Sequence, residues 1–184
     1  MEGVMQSLIK WTVDDYHRMI EAGILADRKV ELLAGDIHPM APEGPPHTYY
    51  GGSFADRLRA ALADRALVRE ARPITLTDSE PEPDIAVVRG GWEDYRDRHP
   101  GAADVLLMIE ISESSLKKDT EDKRIIYATA NIADYWVWDL TAPQLIIYRH
   151  PQAGDYQLVS HLQQGDIAPL AFPDLIFSVS QLLT

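Results

Sequence analysis

Cysteine is absent from all 184 residues of the chain, and this absence removes several kinds of chemistry at once. It excludes disulfides, thiolate nucleophiles, iron–sulfur clusters and cysteine-type zinc sites, and it fits the reducing cytoplasm. Long hydrophobic runs are missing too, because none approaches the roughly 20 residues that cross a bilayer. The N-terminus also lacks a basic segment followed by an apolar one. We therefore expect a cytoplasmic protein without a membrane span or a signal peptide.

Positive charge is scarce, with 17 Lys and Arg residues against 29 Asp and Glu residues and a formal net charge of −12. Phosphate affinity depends largely on lysine and arginine, so this composition argues against a general nucleic-acid binder. Residues 57–72 and 117–124 nevertheless concentrate basic side chains. These stretches are either a locally basic groove or solvated helix faces balanced by neighbouring acids.

The length and the 46% hydrophobic content suit one compact core, and we predict a single domain over residues 1–184. Apolar spacing and a capping signal at Thr12 predict helices from there to near Gly23, over 47–63 and over 120–130. Strand patterns predict a hairpin over 29–40 and strands over 66–70, 74–77, 84–88, 105–112, 135–139, 144–149 and 156–162. The order of these elements predicts an α/β (α+β) fold, in which helices flank a mixed sheet and an N-terminal helix and β-hairpin precede it.

Glu110 is the one carboxylate within the most apolar predicted strand, residues 105–112. Burying an unpaired ion costs on the order of several kcal/mol, so the fold must supply a cation, hydrogen bonds or a metal. Ser112 shares a strand face with Glu110, and Asp84 opens the preceding strand, so its carboxylate could reach the same place. Two hard oxygen ligands without paired histidines suit Mg²⁺ or Mn²⁺ better than zinc. A buried ion pair would satisfy Glu110 equally well.

Pro83-Asp84 followed by Glu110-Ile111-Ser112 resembles the active-site pattern of the PD-(D/E)XK nuclease superfamily. Nearly the whole chain resembles one branch of it, the Uma family of predicted restriction endonucleases. The residues that carry this resemblance are 11–16 (WTVDDY), 30–35 (VELLAG), Met40, Pro42, His47, Pro83, Asp84, 110–112 (EIS), Asp119, Lys123, Tyr127 and 134–139 (DYWVWD). The resemblance implies a restriction-endonuclease-like core, Mg²⁺ or Mn²⁺ held by Asp84 and Glu110, DNA as the substrate, and a homodimer.

The chain departs from the superfamily pattern at Ser112, where a lysine normally completes the motif. Lys123 on the following helix is the predicted replacement, since Asp119, Lys123 and Tyr127 are spaced to share one helical stripe. Spacing does not say which side that stripe faces. The alternative is an exposed ion pair between Asp119 and Lys123, with Tyr127 packed on the sheet.

Two further residues have open roles. Glu31 is either a third metal-site carboxylate, as the family pattern suggests, or part of the polar face of the hairpin. His47 is either a phosphate or water contact beside the site or a capping residue at the surface.

Two functions follow from these residues. The first is a metal-dependent endonuclease that hydrolyses DNA phosphodiester bonds with Asp84, Glu110 and Lys123. The alternative is a nuclease-like scaffold without catalysis that acts in binding or assembly, with Ser112 marking the lost activity.

Overall fold

The elements of the fold follow the predicted order over residues 9–183, the part of the chain that the computed structural model describes. The α-helices are α1 (Val13–Glu21), α2 (Pro45–Leu62), α3 (Arg124–Thr129) and α4 (Val179–Leu182), and a π-helical segment, Lys118–Lys123, leads into α3. The strands are β1 (Val30–Leu33), β2 (Asp36–Pro39), β3 (Leu67–Glu70), β4 (Ile85–Val88), β5 (Val105–Ser112), β6 (Asp134–Asp139), β7 (Gln144–Gln152), β8 (Asp155–Leu162), β9 (Asp166–Ile167) and β10 (Phe177–Ser178). No helix within these residues is long and apolar enough to cross a membrane.

Strands β3 to β8 form one six-stranded sheet in chain order. Only β5 and β6 run parallel, and the π-helical segment with α3 makes the crossover between them. The other neighbours in this sheet are antiparallel. The fold is therefore the predicted mixed sheet with flanking helices.

Both faces of the sheet are covered, which explains why β5 is almost continuously apolar. Ile109 and Ile111 point to the face that packs against α2, where Leu58 is fully buried. Met108 belongs to the opposite face, which α3 covers with Tyr127. Alternation along the strand places Glu110 and Ser112 on that same α3 side. Trp136 and Trp138 are buried in the α2 core.

The N-terminal helix and hairpin form a smaller layer beside the sheet. Thr12 and Asp15 make the capping box at the start of α1. In the hairpin, Gly35 has a φ of +77°, and an added Cβ would lie 2.8 Å from the Cβ of Lys10, so the turn requires glycine there. Leu32 accepts a hydrogen bond of 2.7 Å from the backbone of Glu80 through its carbonyl. This hydrogen bond attaches the hairpin to the rest of the protein, and it thereby helps to position the neighbouring residue Glu31.

Two predicted elements need correction. Residues 74–77 are not a strand: within the described chain only Thr75 makes a bridge, to Gly101. Ile74 and Leu76 are buried as the alternation predicted, but their amides bond to Pro81 and Ser79 within their own loop. The predicted helix over 120–130 is also different, because it enters α3 through six π-helical residues.

Candidate active site

A cleft with a cavity volume of about 80 Å³ opens where β4 begins and β5 ends. Liquid water takes about 30 Å³ per molecule, so the cleft has room for a few waters or one partly hydrated ion. The residues that line it come from the hairpin, the start of α2, both strands and the π-helical segment: Glu31, Met40, Ala41, Pro42, Glu43, Gly44, His47, Glu82, Asp84, Glu110, Glu113, Ser114, Ser115, Lys118, Asp119 and Lys123.

Sheet register brings Asp84 to Glu110. Ile85 pairs with Ile109, so Asp84, one residue before β4, stands opposite Glu110 on the same face. The Oδ2 atom of Asp84 accepts a hydrogen bond of 2.6 Å from the amide of Ile111. The same oxygen lies 3.1 Å from Nε2 of His47. His47 therefore lies beside the cleft, as the predicted role of a phosphate or water contact requires.

Lys123 faces the carboxylates, which answers the question that helical spacing left open. Its Nζ lies 2.9 Å from Oε1 of Glu110 and 3.2 Å from Oε2 of Glu31. Tyr127 donates from its hydroxyl to the same Glu110 oxygen at 2.8 Å. Lys123 is only 3% exposed, so the alternative of a solvated surface ion pair with Asp119 is excluded.

Glu31 is fully buried at the base of the cleft, and it is not part of a solvent-facing side of the hairpin. Its Oε1 accepts a hydrogen bond of 2.7 Å from Lys118. Its Oε2 contacts Lys123 and accepts a 3.3 Å bond from the amide of Glu82. Both oxygens are therefore engaged by protein donors.

The pairing of Glu31 with Lys118 could not be read from helical spacing. Five residues separate Lys118 from Lys123, and in an α-helix they would point about 140° apart. In the π-helical segment the repeat is closer to five residues, so both lysines reach one carboxylate. Such segments are frequent at functional sites.

Ser112, at the position of the motif lysine, has a partner other than Glu110. Its hydroxyl donates to Oδ2 of Asp119 at 2.7 Å, and the hydroxyl of Ser115 donates to the same oxygen at 2.5 Å. Oδ1 of Asp119 is buried without a hydrogen bond among the described residues. Sequence reasoning missed Ser115, and its only signal was the four-residue spacing to Asp119.

The charged groups in the cleft shift one another's pKa values. Burial, reinforced by Asp119, Asp84 and Glu31, raises the pKa of Glu110 to about 8 against the opposing charge of Lys123. Burial opposes the ammonium of Lys123, but Glu110 and Glu31 outweigh it and raise its pKa. Burial would likewise raise the pKa of Glu31, but Lys123 and Lys118 lower it overall. Lys123 is therefore a cation at neutral pH, and it lies between Glu110 and Glu31.

Burial and the neighbouring polar groups also have opposing effects on the pKa values of two residues at the edges of the cleft. Burial disfavours protonated His47, but the hydrogen bond and charge of Asp84, with Glu43, raise its pKa overall. Burial raises the pKa of Asp119 above its usual range despite Lys123 and the two serine hydroxyls.

The donor set suits a Mg²⁺ or Mn²⁺ ion held by few protein ligands. Within residues 9–183, no group of three or more His, Asp or Glu side chains has the geometry to hold an ion. Mg²⁺, however, is usually bound through one or two carboxylates, with waters and substrate phosphate completing its shell. Oδ1 of Asp84 and Oε2 of Glu110 accept no hydrogen bond from the described residues. These two oxygens fit such a site, whereas Glu31 has no free oxygen to add.

The mixed sheet, the two acids on neighbouring strands and the helix-borne lysine define a restriction-endonuclease-like fold. Residues 13–180 match the family model described as "Uma2: Putative restriction endonuclease", and the chain belongs to this family. The chain is also similar to a solved structure from Anabaena variabilis ATCC 29413, described as "a putative nuclease belonging to DUF820". That similarity has a TM-score of 0.69 at 17% identity and covers 84% of this chain and 89% of the other. No curated protein matches the chain.

Proposed function

We propose that the protein is a divalent-metal-dependent endodeoxyribonuclease whose catalytic residues are Asp84, Glu110 and Lys123. The observation that carries the proposal is the 2.9 Å contact between Lys123 and Glu110 beside Asp84 in an open cleft. It supports Lys123 as the replacement for the lysine that is missing at Ser112. Membership of the Uma2 family supports the reaction class.

Each residue has a separate task in this proposal. Asp84 and Glu110 would hold the metal through their free oxygens. Lys123 keeps its proton at neutral pH, so it stabilises negative charge on the reacting phosphate and does not act as a base. Tyr127 fixes the orientation of Glu110 through its hydroxyl, and Glu31 fixes the position of Lys123. His47, hydrogen-bonded to Asp84, is available as a contact for the phosphate or for water.

The ion would contribute charge and water activation. When bound, Mg²⁺ or Mn²⁺ supplies positive charge to the scissile phosphate and lowers the pKa of water that attacks it. The protein side of this arrangement is an acidic cleft with seven carboxylates and only two lysines among its lining residues. Such an excess of negative charge favours the uptake of cations.

Cleavage of supercoiled plasmid and of circular single-stranded DNA, with Mg²⁺, Mn²⁺ or chelator, tests the proposal directly. We expect nicking that depends on the metal and falls about 100-fold or more in Glu110→Gln and Lys123→Met. Lys117→Met is the matched control, because Lys117 belongs to the same helical region but is largely exposed. Equal activity in the parent protein and in both site variants would remove these residues from the mechanism.

A second candidate is a nuclease-like scaffold that binds or assembles without cleaving DNA. It is favoured by Ser112, whose hydroxyl is committed to Asp119, and by the ion pairs that already satisfy Lys123. The open cleft favours the enzyme instead. Calorimetry distinguishes the two: the scaffold predicts no heat of Mn²⁺ binding, whereas the enzyme predicts binding that Asp84→Asn and Glu110→Gln weaken.

We also propose that the protein works in the cytoplasm as a homodimer, since two copies would bring two clefts to one duplex. Light scattering after size exclusion should then give about twice the chain mass of 20.7 kDa. A mass of one chain over the whole concentration range would contradict the dimer.

A further inference from the structure

The cleft has too little positive charge of its own to attract a DNA strand. Phosphate affinity comes mainly from Lys and Arg, yet both lysines of the cleft are paired with Glu31 or Glu110. A strand that reaches Asp84 and Glu110 therefore needs cations outside the cleft. Those cations must be free of carboxylate partners to act on phosphate.

Six of the 17 Lys and Arg side chains have no carboxylate within 4.0 Å among the described residues. The six are Arg28, Lys29, Arg57, Arg69, Arg72 and Arg89. Lys29 and Arg72 are exposed, and backbone hydrogen bonds place both next to residues that line the cleft. The carbonyl of Lys29 accepts a 3.0 Å bond from Met40, which lines the cleft. Arg72 follows Ala71, whose amide donates to the carbonyl of Asp84 at 3.1 Å.

Glu82 connects these two cations electrostatically. It lines the cleft, and its pKa is raised by burial and by Glu31 while Lys29 and Arg72 oppose the rise. Lys29 and Arg72 therefore both lie near Glu82, which places two exposed cations beside this acid of the cleft.

Three residues before Arg72, Arg69 lies against an exposed aromatic ring. Its guanidinium lies 5.8 Å from the ring centre of Trp92 and 5.6 Å from that of Tyr95. Arg69 is 5% exposed and has no acidic partner among the described residues, and its Nε makes no hydrogen bond. Trp92, by contrast, is 60% exposed. The cation behind the indole withdraws negative charge from its outer face, which favours stacking with an electron-rich base.

We propose that Lys29, Arg72 and Trp92, with Arg69 behind the indole, form a binding surface for an unpaired DNA strand that leads into the cleft. The two cations contact successive phosphates, and Trp92 stacks on a base. The strand is unpaired because a duplex keeps its base faces stacked inside and offers none to a side chain. This inference rests on the proposed function, because it names the form of DNA that the cleft receives.

Binding can be tested separately from cleavage in the Glu110→Gln protein, by fluorescence anisotropy of a labelled 20-nucleotide oligo-dT and of a duplex of equal length. Trp92→Ala should weaken single-strand binding about 10-fold, as expected for the loss of one stacked base. Lys29→Ala and Arg72→Ala should each weaken it and reduce the salt dependence by about 0.7 in the log–log slope. The matched controls are Trp11→Ala and Arg57→Ala, which remove a partly exposed tryptophan and an arginine whose guanidinium is hydrogen-bonded to the carbonyl of Gln181 instead of to a carboxylate.

The outcomes separate this inference from the proposed nuclease. Single-strand binding that depends on Trp92 and Arg72 supports the surface even if the parent protein cuts no DNA. Metal-dependent cleavage with unchanged oligonucleotide affinity in Trp92→Ala and Arg72→Ala overturns the surface and leaves the nuclease standing. Equal losses in the Trp11 and Arg57 controls, or equal affinity for the duplex, also overturn it. Thermal melts confirm that each variant is folded, and the buried Arg69 is left intact for that reason.

Discussion

Replacing Lys123 with methionine should destabilise the protein by about 3 kcal/mol at neutral pH. The ammonium lies 3.2 Å from Glu31 and 2.9 Å from Glu110, and all three side chains are at most 3% exposed. Breaking a buried ion pair costs about 3–5 kcal/mol, because a carboxylate is left without a partner in a poorly solvated place. The lower end applies here, since Lys118 still holds Glu31 and Tyr127 still donates to Glu110.

Urea unfolding followed by tryptophan fluorescence measures this loss, because Trp136 and Trp138 are buried in the core. With an m-value of about 2 kcal/mol per M, the midpoint should fall by about 1.5 M. Lys117→Met, on an exposed side chain of the same region, should change stability by less than about 0.5 kcal/mol. A Lys123→Met midpoint within error of that control would refute the reasoning.

The double variant Lys123→Met with Glu31→Gln tests whether the cost comes from a carboxylate that has lost its cation. Glu31 has a lowered pKa and is ionised at neutral pH, so neutralising it should make the double variant more stable than the sum of the single effects predicts. The expected coupling is at least about 1 kcal/mol. Additive effects would mean that the methionine destabilises through packing.

Three smaller predictions follow from the same structure. Because burial raises the folded-state pKa of Glu110 to about 8 from its usual 4.5, its protonation stabilises the fold below pH 4.5. That contribution is lost as pH rises through about 8, so melting temperatures of Glu110→Gln should decline less than those of the parent between these pH values; parallel curves would contradict the shift. Tyr127→Phe should cost about 1–3 kcal/mol in urea unfolding, because Glu110 loses a buried donor at 2.8 Å. Gly52→Ala should stabilise α2 by about 0.5–1 kcal/mol, since an added Cβ meets nothing within 4 Å; a lower melting temperature would show a hidden clash.

Much of the fold could be predicted because local patterns and tertiary packing agree. Glu110 in an apolar strand demanded a partner, and the structure supplies Lys123 and Tyr127 from the predicted stripe. The two-residue period of β5 correctly separated Glu110 and Ser112 from Ile109 and Ile111. Residues 74–77 had the alternation of a strand, but their amides found partners in their own loop. Alternation reports which side chains are buried and not where the backbone hydrogen bonds go.

By itself the sequence determined the order of helices and strands, the family, and the demand that Glu110 places on its surroundings, because these depend on local periodicity and on the cost of burying a charge. Only the tertiary structure decided which cation meets that demand. Lys118 and Lys123 reach Glu31 together because the segment that carries them is π-helical, and Asp84 reaches the cleft through strand register. Register and helix type arise from contacts between distant residues, so no local pattern could specify this arrangement of charges.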